Sequence, residues 1–256
     1  MLIQTAELLF ICQMRRHIII VSYYFYKTEN IMSDNIIVEV TCKNMRSWGR
    51  QALSGFWSLA VLGTLILVLL TIVPVLIFTF IFDSQVLEFA SNVYGLLVSG
   101  PLSLGYAVFI IAVFRRKPTS PAEVFYGFEQ FGRSFGLFIV MNFFIFLWFL
   151  LFIIPGIIAS YRYAMAFYIL ADNPNIGIMD AIGESKRLMK GNKWKLFCLD
   201  LSFIGWTILS VLTAGIGYFW LMPYMAASKV GFYEVANGNL RPQGQHIQED
   251  NNNVIQ

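Results

Sequence analysis

Long apolar runs, separated by gaps that alternate in charge, constrain this chain more than any motif does. A membrane-spanning helix needs about 20 mainly apolar residues. Four runs reach that length: Phe56 to Phe82, which contains Pro74; Tyr94 to Phe114; Ser134 to Ala171; and Leu196 to Tyr233. The last two are too long for one crossing. At about 1.5 Å per residue, Ser134 to Ala171 would measure about 57 Å, against a hydrocarbon core of about 30 Å. Pro155-Gly156 divides the third run, and Gly215 with Gly217 divides the fourth. The sequence therefore predicts six spans.

The gaps sort by charge. Lys43, Arg46 and Arg50 precede the first span. Arg115, Arg116, Lys117 and Arg133 lie between the second and third, and Lys186, Arg187, Lys190, Lys193 and Lys195 between the fourth and fifth. Arg241 follows the sixth. Gap 83–93 carries only Asp83 and Glu88, and the two tight turns carry no charge. By the positive-inside rule this predicts a multi-pass protein of the cell (cytoplasmic) membrane with both termini cytoplasmic. Composition agrees. The chain is 57% hydrophobic and 13% charged, where soluble domains carry about 25% charged residues. The partner it predicts is the lipid bilayer. A net charge of +3 is too small to argue for nucleic acid.

The expected fold is an all-α membrane protein: six transmembrane helices in three hairpin units with amphipathic cytoplasmic helices. Residues 1–42 form an N-terminal cytoplasmic segment, 43–235 the membrane domain and 236–256 a disordered polar tail. Within 7–25, Arg15, Arg16 and His17 interrupt the apolar sequence, and no signal-peptide cleavage site follows. Met32 precedes a polar stretch and is an alternative start, which leaves residues 1–31 open as a mis-assigned extension. One amphipathic helix begins at Ser120, with Pro121 and Glu123 giving a capping box and Phe125, Phe128, Phe131 and Phe135 forming a stripe. It lies on the membrane surface or packs on the spans. Another runs from about Ile176 to Lys190, with Gly191 ending it, and its basic end suits anionic lipid headgroups. Arg50 to Trp57, Arg187 to Trp194 and Phe131 to Gly136 repeat loosely ahead of spans one, five and three.

Ser91, Gly95, Ser99, Ser103 and Ala107 recur every four residues and give span two a small-residue helix-packing face. It serves the bundle itself, or it is a seam for a homo-oligomer or a membrane partner protein. Gly156, Ser160 and Ala164 repeat the device. Arg162 and Asp200 stand inside spans, where a charge facing lipid costs about 2.5–3.5 kcal/mol. They are expected to face inward and pair. That pair either fixes hairpin packing or, with Tyr161, Tyr163, Asn142, Ser202 and Tyr224, forms an intramembrane polar site.

Nothing in the motifs points to catalysis, a cofactor or a metal. Cys12, Cys42 and Cys198 are odd in number and form no CxxC, and His17 and His246 lie in terminal segments. HExxH, GxSxG, Walker A and paired carboxylates are lacking. Ser160 and Ser202 have no histidine within the spans to act as base.

Ser160 to Pro174, reading SYRYAMAFYILADNP, resembles a bacterial integral membrane protein family known as domain of unknown function 975. So do Ala181-Ile182, Glu184 to Trp194, Leu199 to Trp206, Gly215 to Gly217, Pro223-Tyr224 and Phe232-Tyr233. The resemblance covers roughly 43–235 and implies a bacterial membrane protein, with no catalytic residues to carry over. The expectation is a non-catalytic protein that binds or moves a small amphiphile or supports an envelope complex. The alternatives are a scaffold or partner subunit and, behind it, an intramembrane enzyme.

Overall fold

Twelve stretches of helix follow one another from Cys42 to Ala236, and the computed structural model describes residues 36–81 and 85–240, with side chains outside 78–88. Expectations about residues 1–31, Asp83, Glu88, His17, His246, Cys12 and the tail beyond 240 lie outside the described residues. The α-helices are α1 (Cys42–Leu53), α2 (Trp57–Ile81), α3 (Gln85–Phe114), α4 (Tyr126–Glu129), α5 (Phe131–Leu151) and α6 (Ile153–Tyr163), then α7 (Ala166–Asp172), α8 (Ile178–Leu188), α9 (Lys193–Leu201), α10 (Ile204–Leu212) and α11 (Tyr218–Ala236). A 3₁₀ turn, Pro121–Phe125, precedes α4. No strand occurs among the described residues.

Among the described residues, five helical stretches are long and apolar enough to cross a membrane: Trp57–Ile77, Phe89–Phe114, Phe131–Leu151, Ile153–Asp172 and Lys193–Leu212. Leu150, Phe152, Ile153, Ile154 and Leu212 are each more than 70% exposed, a surface that water would not tolerate and lipid would. The α5–α6 turn falls at Phe152, within three residues of the Pro155-Gly156 break read from sequence. α11 is not among the five. It contains Lys229 and Glu234, and from Leu221 onward most of it is buried by protein rather than turned to lipid.

Two of the crossings are broken, each by a side chain that inserts into the backbone ladder. Between α6 and α7, Ser185 Oγ donates to the Arg162 carbonyl at 3.0 Å and accepts from Met165 N–H at 3.3 Å. Between α9 and α10 the helix tightens at Asp200–Phe203, and Arg46 Nη1 donates to the Ser202 carbonyl at 3.3 Å. A broken span is tolerated where protein groups take up the freed carbonyls.

The segment after Ser120 packs on α3. A Cβ on Gly105 would overlap the Val124 carbonyl, and one on Gly127 the Pro101 carbonyl. Ser120 makes no side-chain cap bond, so the capping box is not formed: Pro121 instead opens a 3₁₀ turn. Phe125, Phe128 and Phe131 stay exposed on the opposite side. α8 buries Ala181, Ile182, Ser185 and Leu188. Gly191, at φ +81°, turns the chain toward Asn192, whose amide accepts from Val38 N–H at 2.9 Å and donates to the Ile36 carbonyl at 2.8 Å. Residues 237–240, assigned to the tail from sequence, fold back. Gly238 takes φ +79°, and Asn239 N–H donates to the Glu234 carbonyl.

Candidate functional site

Arg162 and Asp200 do not pair. Tyr161 faces Asp200, its hydroxyl donating to Oδ2 at 3.3 Å, and consecutive helical residues point about 100° apart. Arg162, one residue on, is carried off that face. The cation beside Asp200 is Lys229, with Nζ 2.9 Å from Oδ1. The other members of the expected polar site scatter. Asn142 donates to the Phe138 carbonyl of its own helix, and Ser202 Oγ to the Leu199 carbonyl. Tyr163 is buried against Phe144, with the Lys186 ammonium over both rings. Tyr224 sits elsewhere, beside Arg50.

A larger charge cluster joins three helix ends. Arg115, just past α3, donates from Nη1 and Nη2 to Asp172 Oδ1 and Oδ2 at 2.7 and 2.8 Å, a bidentate fork. Its Nε donates to Glu234 Oε1 at 2.7 Å. Tyr233 donates to Asp172 Oδ2 at 2.9 Å, and Asn239 to Glu234 Oε2 at 2.8 Å. The hydrogen bond to Asp172 leads the effects that hold the Arg115 guanidinium above its usual pKa. Both carboxylates are satisfied, so this cluster ties α3, α7 and α11 together and offers no open position to a ligand. Sequence reasoning counts Arg115 only as a loop cation. The separations to Asp172 and Glu234 leave no local signal.

Part of the small-residue face of α3 lines a cleft within the chain. Ser99, Ser103 and Ala107 line a cleft of about 320 Å³ with Thr71, Tyr106, Phe167, Tyr168 and Met222. That part of the face borders other helices of the same chain. Gly95, nearer the start of α3, has nothing within 4 Å of a notional Cβ.

A second groove lies along α11. A groove of about 460 Å³ is lined by Trp57, Trp206, Leu209, Trp220 and Leu221, with Ser210, Thr213 and Gly217 along one wall and Arg50 and Tyr224 at one end. Its hydroxyls are already used within the α10–α11 turn: Ser210 Oγ donates to the Trp206 carbonyl at 2.8 Å, and Thr213 Oγ1 donates to the Ser210 carbonyl at 2.9 Å while accepting from Gly217 N–H at 3.1 Å. Polar capacity is left at the Arg50 end. There Arg50 Nη2 donates to Tyr224 Oη at 3.4 Å, and the guanidinium lies 5.9 Å from the ring centre. Among the described residues no group of three His, Cys, Asp or Glu side chains comes together to hold a metal.

Residues 149–239 match the model of the family described as protein of unknown function (DUF975), the family that the segments quoted above resemble. The match takes in every groove residue except Arg50 and Trp57. Comparison with curated proteins and with solved structures finds no match.

Proposed function

We propose that this chain is a non-catalytic membrane protein that holds a small amphiphile in the groove along α11. The observation that carries the reading is the composition of the groove: three tryptophans and two leucines form an apolar wall, and a guanidinium and a phenol stand at one end. An apolar chain gains by leaving water for such a wall, and a polar head gains at the wet end.

The bilayer arrangement that suits this reading has six spans, with α11 as the sixth and both ends cytoplasmic. α11 is about 28 Å long at 1.5 Å per residue, close to the thickness of a hydrocarbon core. Its far end meets Arg115 and Asp172, the ends of the second and fourth crossings. Burial supports it as a crossing helix that carries Lys229 and Glu234 at low cost, because protein groups rather than lipid surround them.

The test is native mass spectrometry of the protein released from lipid discs, wild type beside Leu209→Trp. Leu209 is half-exposed and lines the groove, so an indole there fills the cavity without touching the core. Wild type is expected to retain a lipid-sized ligand that the variant loses. Bare protein in both samples, or protein with a second polypeptide attached, would move the partner-subunit reading ahead.

A further inference from the structure

We propose that the groove takes an amphiphile with an anionic headgroup, of the phosphate or carboxylate class, and that Arg50 and Arg46 supply its counter-charges. The proposal rests on the groove being an amphiphile site. The two arginines stand four residues apart on α1, which places them on one face a turn from each other. Arg50 lines the mouth and reaches Tyr224. The Arg46 guanidinium lies 6.0 Å from the centre of the Phe203 ring, and Phe203 meets Tyr224 edge to face at 5.1 Å. A continuous aromatic ledge therefore carries both guanidinium groups.

Neither arginine has a carboxylate partner among the described residues. Asp200 is engaged by Lys229 and Tyr161, Asp172 and Glu234 by Arg115, and Glu184 by Arg187. Arg46 has one hydrogen bond, from Nη1 to the Ser202 carbonyl, and its Nε is buried without a partner. Arg116 brings a third guanidinium to α1. It donates from Nη2 to the carbonyl of Gln51, the residue after Arg50, and it too lacks a carboxylate. Arg46 is part-buried, and an unpaired charge is costly to desolvate. Here Arg50 stands at the polar end of an apolar groove with Arg46 a helical turn away, and an anionic head whose chain lies along Trp57, Trp206 and Trp220 completes the pairing. Guanidinium forks also match the oxygen geometry of phosphate and carboxylate.

The experiment presents the full-length protein with equal amounts of phosphatidylglycerol and phosphatidylcholine of matched chains, and reads the ratio retained by native mass spectrometry. A surface-proximal arginine is worth about fivefold in anionic lipid binding. Wild type should favour phosphatidylglycerol, Arg50→Gln should lower that excess about fivefold, and the further change Arg46→Gln should remove most of what is left. Arg50 is exposed, so its variant reports even if the more buried Arg46 variant folds poorly. Equal retention of both lipids by wild type overturns the anionic assignment and leaves the groove reading standing. Retention of neither overturns both. In lipid-free detergent, an inorganic phosphate adduct lost in Arg50→Gln, together with equal retention of the two lipids, assigns the arginines to a soluble anion and overturns the headgroup.

Discussion

A guanidinium that answers two carboxylates is a tighter constraint than a surface ion pair. Arg115 is 26% exposed, Asp172 16% and Glu234 4% in their side chains, so water screens the cluster only in part. Exposed pairs contribute about 0.2–1 kcal/mol, whereas breaking a fully buried one costs about 3–5 kcal/mol. Asp172→Asn should fall between, near 2 kcal/mol, in thermal unfolding in mild detergent. Coupling should be visible as well: Arg115→Gln and Asp172→Asn together should cost about 1–2 kcal/mol less than the sum of the single changes. Strict additivity would show that the fork contributes little. The sequence points to inward-facing charge without identifying the partners. Asp200 does point inward, to a cation, but helix phase gives Tyr161 rather than Arg162 the facing position. Lys229, a single lysine inside a long apolar run, takes the place expected for Arg162. Partners this far apart in the chain are set by tertiary packing, and no local pattern encodes them.

Packing between helices follows the glycines that backbone actually approaches. Gly105 meets the Val124 carbonyl, and Gly100 meets the backbone of Ser134 and Phe135. Both lie on α3, as does Gly95, which faces open space. This contrast gives a paired prediction. Gly105→Ala forces a Cβ into backbone that cannot yield, and it should destabilise by about 1–3 kcal/mol. Gly95→Ala meets nothing and removes a flexible residue from a helix interior, so it should be neutral or stabilise by about 0.5–1 kcal/mol. Equal effects in detergent unfolding would mean that the α3 contact with the 3₁₀ turn is looser than its geometry. Of the residues that recur every four positions on this helix, Ser99, Ser103 and Ala107 line a cleft within the chain. Periodicity ranks positions only by side-chain size. It does not distinguish a glycine beside another backbone from one beside empty space. The capping box after Ser120 fails for a related reason: close packing of Gly105 and Gly127 draws that segment onto α3, and a 3₁₀ turn fits the gap.

At the scale of the whole molecule, the number of crossings turns on α11. Apolarity alone yields five candidate spans, because hydropathy asks whether a helix suits lipid and α11 is mostly covered by protein. Charge alternation reads it as a sixth crossing. The two counts put the chain after Ala236 on opposite sides of the membrane. With Cys12, Cys42 and Cys198 replaced, single cysteines at Asn175, Ile216 and Asn239 decide between them under a membrane-impermeant maleimide. Six crossings predict that Ile216→Cys reacts in intact cells while Asn175→Cys and Asn239→Cys react only once the membrane is opened. Asn239 would then share a side with Asn175, as the bond from Arg115 to Glu234 requires if α3, α7 and α11 end at one level. Five crossings predict that Asn239→Cys labels together with Ile216→Cys. In that case the Arg115 cluster would have to sit within the bilayer rather than at its inner edge. Tyr224 would then be parted from Arg50, which precedes the first span in either count, and the groove could not take an amphiphile in the orientation proposed.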